Sequence, residues 1–150
     1  MNVLTGRASG PAADATALIA RIAVGIVFIA HGWQKISEMG LGGTAGMMGS
    51  MGIPAPQAAA LFAIVVELGG GVLLLVGLLQ PVAGVLLALQ MGGAILFVHA
   101  GNGLIGEGGY ELPLVLGLSA LALGFNGGRF ALDRLLPWGS ERRPQEAAAA

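Results

Sequence analysis

Four stretches of this sequence are apolar almost throughout, and they constrain the fold more than any other feature. They are residues 15–33, 57–79, 82–100 and 111–125. The first three have about the 20 residues that an α-helix needs to cross a bilayer, and the fourth is shorter. Only 10% of the chain is charged, whereas soluble domains carry roughly 25% charged residues. We therefore predict an all-α, polytopic membrane protein that forms a four-helix transmembrane bundle.

The segments around these stretches predict three parts of the chain. Residues 1–14 form a polar lead, residues 15–136 the transmembrane domain, and residues 137–150 a tail expected to be disordered. Glycines and methionines dominate residues 34–56, which predicts a loop. Extension of the fourth stretch toward Leu136 would either complete its length or form an interfacial amphipathic helix.

The basic residues predict how the bundle is oriented. Four crossings place both termini on one side of the membrane, and cytoplasmic segments carry an excess of basic residues. Lys35 is the only basic residue in the opposite loops, so both termini and the tail are expected in the cytoplasm. A cleaved signal peptide is disfavoured because an arginine interrupts the first stretch. The arginines on the side of the termini are Arg7, Arg21, Arg129, Arg134, Arg142 and Arg143.

Composition also argues against several kinds of function. A net charge of −1 with so few basic residues does not favour binding to nucleic acid through its phosphates. The chain has no cysteine, which excludes thiolate metal sites and a dithiol redox couple of its own. Any redox chemistry would take its electrons from a partner or from the substrate. A metal held by His31, His99 and a glutamate is conceivable, but neither histidine has a second ligand at the i,i+3 or i,i+4 spacing typical of helical metal sites, so no metal is expected.

Ionisable groups inside membrane helices are costly and are therefore candidates for function. Arg21 and Glu67 both lie on helix faces rich in small residues, and we expect them to form a pair. Such a pair would either fix the register of two helices or form the polar floor of a headgroup site or a proton route. Gln90 is expected to hydrogen-bond a neighbouring helix. These three residues form the predicted polar core.

A second set of titratable residues is predicted in the outer leaflet. His31, Lys35, His99 and Glu111 fall near the outer ends of the predicted helices, together with Glu107. Histidine changes charge near neutral pH, so this cluster is a candidate for proton transfer. The alternative is that these side chains are simply solvated at the interface.

Glycines within the apolar stretches predict close helix packing. Small residues at four-residue steps let the backbones of two membrane helices approach each other. The glycines assigned to this role are Gly25, Gly32, Gly70, Gly71, Gly84 and Gly92.

Several motifs in order resemble the DoxX family of small bacterial membrane proteins over about residues 18–136. The matching segments are Arg21-x3-Gly25-x2-Phe28 with His31-Gly32-x2-Lys35, Gly52-Ile53-Pro54, Glu67-Leu68-Gly69-Gly70-Gly71 with Gly77-Leu78, His99, Gly109-Tyr110-Glu111-Leu112, and Gly127-Gly128-Arg129-Phe130-Ala131-Leu132-Asp133. Ala131 departs from the family, which usually has serine there. The resemblance implies a four-helix bundle in the bacterial inner membrane and a link to quinone-dependent or thiol and oxidative-stress redox chemistry.

Three functions are compatible with these features. The first is a membrane subunit of an oxidoreductase system that binds a quinone between helices, with Arg21 and Glu67 as polar contacts and His31 or His99 as proton donors. The second is a scaffold that recruits membrane or soluble redox proteins without catalysis. The third is a small-molecule transporter, which would form an oligomer because four helices enclose little room. The only partner that composition itself predicts is the lipid bilayer.

Overall fold

The computed structural model describes residues 10–136, and every regular element within them is helical. Three short π-helical segments interrupt the α-helices, and a 3₁₀ turn, Leu132–Leu135, closes the described part. The helices are α1 (Pro11–Gln34), α2 (Gly40–Ser50), α3 (Pro56–Val76), α4 (Gln80–Asn102) and α5 (Glu111–Phe125). The π-helical segments are Lys35–Met39 between α1 and α2, Val66–Gly70 within α3, and Ile95–His99 within α4.

The helix lengths confirm a helical membrane protein. Three helical stretches are long and apolar enough to cross a bilayer, namely Pro11–Ser50, Pro56–Val76 and Gln80–Asn102. The fourth apolar helix, α5, has 15 residues. At 1.5 Å per residue it is about 22 Å long, which is less than the roughly 30 Å of hydrocarbon in a bilayer.

Proline and glycine mark where the helices begin and end. Proline occupies a first-turn position in α1, α3 and α4, where its missing N–H leaves no bond unmade. Gly77 ends α3 with a φ of +77°, a left-handed conformation that glycine adopts without strain. The N–H groups of Gly77 and Leu78 both donate to the carbonyl oxygen of Leu73 at 2.9 Å. The resulting short turn makes α3 and α4 antiparallel neighbours.

Small residues set the distance between the helices. A Cβ atom added to Gly25 on α1 would lie 2.8 Å from the carbonyl oxygen of Gly71 on α3. The same atom on Gly84 of α4 would lie 2.6 Å from the carbonyl oxygen of Ala120 on α5. A Cβ atom added to Gly32 would be similarly close to the side chain of Leu68, and one added to Gly70 to the side chain of Leu87. The bundle therefore consists of two closely packed pairs, α1 with α3 and α4 with α5.

Gly92 does not have the packing role that its spacing predicted. Among the described residues, no atom of another helix lies within 4 Å of the position that its Cβ would take. Gly84, Ala88 and Gly92 follow one another at four-residue steps, but α5 packs most closely on α4 at Gly84, near the beginning of α4. Gly117 on α5 instead contacts the side chain of Met91.

The segment predicted as a loop at residues 34–56 is mostly helical. The chain continues from α1 through a π-helical turn, bends at Gly40 with a φ of +65°, and forms α2. The buried hydroxyl of Thr44 donates to the carbonyl oxygen of Gly40 at 2.9 Å. Packing of α2 against the first half of α3 outweighs the low helix propensity of its glycines.

The fourth helix does not extend toward Leu136. It ends at Phe125, and Asn126 and the two glycines after it turn the chain back beneath the bundle. The predicted tail, residues 137–150, lies outside the described residues, as do residues 1–9 of the predicted lead.

Candidate functional site

A buried polar cluster lies between α1, α3 and α4. The Nζ atom of Lys35 donates to both carboxylate oxygens of Glu67, at 2.9 and 2.7 Å. The Nε2 atom of Gln90 donates to the Oε1 atom of Glu67 at 2.7 Å. The side chain of Glu67 is 4% exposed and that of Lys35 is 18% exposed. The carboxylate is thus neutralised and hydrogen-bonded inside an apolar bundle, as a buried charge must be.

Each of the three π-helical segments carries an ionisable residue of this site. Lys35 begins the first segment, Glu67 lies in the second, and His99 ends the third. A π-helical turn inserts one extra residue into a helix and is frequent at functional sites. The inserted residue changes the direction in which nearby side chains point. Lys35, Glu67 and His99 therefore need not point in the same direction as the face on which their helix packs.

The cluster separates two cavities. The larger has a volume of about 360 Å³, and its wall includes Met47 and Met48 of α2 and Met51, which follows that helix. The smaller has a volume of about 150 Å³ and is lined by His31, Phe28 and residues of α4 and α5. Both cavities share part of their lining. The shared residues are Lys35, Glu67, Met91, Ala94 and His99.

The site offers both a hydrogen-bond donor and an acceptor to a ligand. A lysine ammonium has three protons, and two of those on Lys35 are directed at Glu67. Within residues 10–136, the buried Oε1 atom of Gln90 has no hydrogen-bond partner. Both side chains line the larger cavity. An amphipathic molecule with a small oxygen-bearing head would fit these two polar groups and the apolar wall.

The predicted outer-leaflet residues are only partly brought together. His31 and His99 line the smaller cavity with Lys35, whereas Glu111 is exposed and does not line it. The Nδ1 atom of His99 lies 2.7 Å from the carbonyl oxygen of Gly108 and therefore donates a proton to it. This bond ties α4 to the loop before α5 and leaves Nε2 as the ring nitrogen that can accept a hydrogen bond.

Arg21 does not pair with Glu67, which corrects the predicted polar core. Gly32 lies against Glu67 and Gly25 against Gly71, so Arg21 lies about 16 Å farther along α1 than the level of Glu67. Counting depth from the helix ends gave a smaller separation because it placed α1 and α3 in a different register. Gln90 does contact Glu67, so two of the three predicted members lie together.

The buried Arg21 belongs to a separate network at the other end of the bundle. Its Nη2 atom donates to the carbonyl oxygen of Phe130 at 3.1 Å. The carboxylate of Asp133 accepts the N–H groups of Leu79 and Gln80, at 2.9 and 3.0 Å. Asp14 accepts the N–H of Arg129 at 2.7 Å. These bonds attach residues 127–136, here called the C-terminal segment, to α1 and to the turn between α3 and α4.

Two kinds of residue in these networks were missed by the sequence analysis. Asp14 and Asp133 lie outside the apolar stretches. A carboxylate outside such a stretch is not expected to be buried. Asp133 does stand at the end of the motif that begins at Gly127, and that position was the available signal. Met51 follows Met47 and Met48 at a helical spacing of four and three residues, but the glycines around them favoured a loop.

Comparison with known proteins gives a consistent result. Residues 16–100 match the model of the DoxX family. The Bacillus subtilis protein named "Putative oxidoreductase CatD" is 38% identical over 77% of this chain and 83% of its own. Inner membrane protein YphA of Escherichia coli is 37% identical over 66% of this chain and 70% of its own. An uncharacterized membrane protein of Mycobacterium tuberculosis, Rv3486, is 36% identical over 77% of this chain and 78% of its own. No solved structure matches this chain.

Proposed function

Since this chain belongs to the DoxX family and is a multi-pass protein of the bacterial inner membrane, we propose that it is the membrane subunit of an oxidoreductase system and binds a quinone. The observation that carries the proposal is the Lys35–Glu67–Gln90 cluster at the wall of a methionine-lined cavity. The relative from Bacillus subtilis has a name that describes an oxidoreductase.

The polar groups of the cavity match the two forms of a quinone. Lys35 can donate a hydrogen bond to a quinone carbonyl, and the Oε1 atom of Gln90 can accept one from a quinol hydroxyl. Reduction of a quinone to a quinol takes up two electrons and two protons. This chain has no cysteine and therefore no dithiol couple of its own, so the electrons come from a partner redox protein or from the substrate. His99, which lines both cavities, and His31, which lines the smaller one, would pass the protons.

Binding of a short-chain quinone to the purified protein in lipid nanodiscs tests this proposal. We expect saturable binding that Lys35→Met weakens about tenfold, as loss of one charged hydrogen bond predicts. Arg129→Met serves as the matched control, because it removes a cation at the other end of the bundle. Absence of saturable binding, or equal loss in the two variants, would overturn the proposal.

We also propose that α5 crosses the membrane as a fourth span, with both termini in the cytoplasm. α5 runs antiparallel along the first part of α4, where Gly84 contacts Ala120 and Gly124. Tilt or local thinning of the bilayer compensates for its length of 15 residues. The excess of arginine near the two termini supports the orientation.

Single cysteines test this topology without background, because the natural chain has none. Ser50→Cys, Asn102→Cys and Asn126→Cys are all at exposed positions. In intact spheroplasts we expect an impermeant maleimide to label the first two, and to label Asn126→Cys only after permeabilisation. Labelling of positions 102 and 126 from the same side would mean that α5 does not cross.

A further inference from the structure

A third cavity, of about 280 Å³, lies at the opposite end of the bundle from the quinone site. It forms where the turn between α3 and α4, the end of α5 and the C-terminal segment meet. Leu79, Val82 and Phe125 line it, and they are between 44% and 59% exposed. In a membrane helix such residues face lipid, so the apolar side of this cavity is continuous with the surface that contacts acyl chains.

The polar side of the same cavity is formed by Arg134 and Asp133, whose formal charges cancel, while the end of the bundle around it carries a net positive charge. Arg134 lines the cavity, is exposed, and forms no ion pair with any residue from 10 to 136. The two carboxylate oxygens of Asp133 already accept backbone N–H groups. The described ionisable groups at this end are three arginines and two aspartates, a sum of +1. They are Asp14, Arg21, Arg129, Asp133 and Arg134.

Gln80 adds a buried hydrogen-bond acceptor to the cavity wall. The residue is 4% exposed, and its Nε2 atom donates to the carbonyl oxygen of Gly77 at 3.4 Å. Its Oε1 atom is buried and has no partner in the described part of the chain. An unpaired buried carbonyl costs free energy, which a ligand bearing a hydroxyl donor would recover.

We propose that this cavity binds an anionic phospholipid whose headgroup carries a hydroxyl, with the phosphate beside Arg134. The hydroxyl donates to Gln80, and the acyl chains run along Leu79, Val82 and Phe125. This arrangement matches charge to charge and apolar surface to apolar surface at the membrane boundary. The bound lipid joins the C-terminal segment to the first turn of α4.

Lipid retention by the purified full-length protein, measured by native mass spectrometry, tests this proposal. We expect phosphatidylglycerol to be retained about fivefold more than phosphatidylcholine with the same acyl chains. Arg134→Gln should lower the retention of phosphatidylglycerol about fivefold as well. The matched control is Arg129→Gln, because Arg129 is exposed at the same end but does not line the cavity. The control should change retention less than twofold.

Several outcomes would overturn the proposal. Equal retention of the two lipids by the wild-type protein would overturn it. This comparison does not depend on whether Arg134→Gln folds. Equal losses in the two arginine variants would indicate general attraction to a basic surface. Displacement of the lipid by millimolar glycerol phosphate would indicate a site for anions without acyl chains. Quinone binding is measured separately and should be unchanged in Arg134→Gln.

Discussion

Glu67 is the residue at which the polar contacts of the candidate site converge. It accepts hydrogen bonds from Lys35 and Gln90 on two different helices. It lies in a π-helical turn and contacts α4 through Gln90, and of the glycines that follow it Gly70 packs against Leu87 of α4 and Gly71 against α1. A single side chain thereby links three helices and also borders both cavities.

The stability of the Lys35–Glu67 pair can be measured with a double-mutant cycle. Lys35→Met leaves a carboxylate that is 4% exposed without its counter-charge, and we expect it to cost about 3 kcal/mol. Adding Glu67→Gln removes the unpaired charge and should recover at least half of that loss. Denaturation by a charged detergent in mixed micelles gives the free energies of unfolding. Losses that simply add would show that the two side chains do not interact.

Sequence alone identified both partners of this pair but not their pairing. Lys35 and Glu67 were each predicted to be site residues, because a charged side chain in or near an apolar membrane helix is costly and therefore indicates a function. Choosing between Arg21 and Lys35 as the partner of Glu67 requires the register of α1 against α3. That register is set by contacts such as Gly25 with Gly71, and periodicity within one helix does not contain it.

At the scale of the helices, glycine determines which backbones come into contact. α1 crosses α3 at Gly25 and Gly71, and α4 crosses α5 at Gly84 and Gly124. The sequence predicted most of these positions because small residues recur at helical spacing. It did not predict α2, where helix formation depends on packing against α3 rather than on propensity.

Two identical substitutions should separate packing glycines from the others. Gly25→Ala places a methyl group 2.8 Å from the carbonyl oxygen of Gly71, so we expect a loss of about 1–3 kcal/mol in the free energy of unfolding. Gly92→Ala meets open space and should be neutral or stabilising by up to about 1 kcal/mol. Both are measured by the same detergent titration. Similar effects at the two positions would contradict the assigned helix crossing.

In the molecule as a whole, the C-terminal segment holds one end of the bundle together. Arg21 and Asp14 attach it to α1, and Asp133 attaches it to the turn between α3 and α4. Asp133 acts as an N-cap for α4 although it lies far from that helix in sequence. The family motif indicated that this segment matters, but only the fold explains its contacts.

Removal of the remote cap should loosen this end of the protein. We expect Asp133→Ala to lower the free energy of unfolding by about 1–2 kcal/mol, because two N–H groups lose their acceptor. Asp133→Asn keeps one acceptor oxygen and should lose less. Limited proteolysis in micelles should cut the C-terminal segment faster in the alanine variant. Equal cleavage rates in both variants and the wild type would argue against this attachment.

The π-helical turn of α3 adds one residue to that helix at Val66–Gly70. An α-helix turns by about 100° with each residue, so the wider turn takes up the added residue locally, and Gly71 lies against Gly25 of α1. One inserted residue therefore lets two parts of the same helix face different neighbours. Glu67 faces the polar cluster, and Gly71 faces α1. An insertion or deletion here would therefore disturb both the position of Glu67 in the polar cluster and the packing of Gly71 on α1.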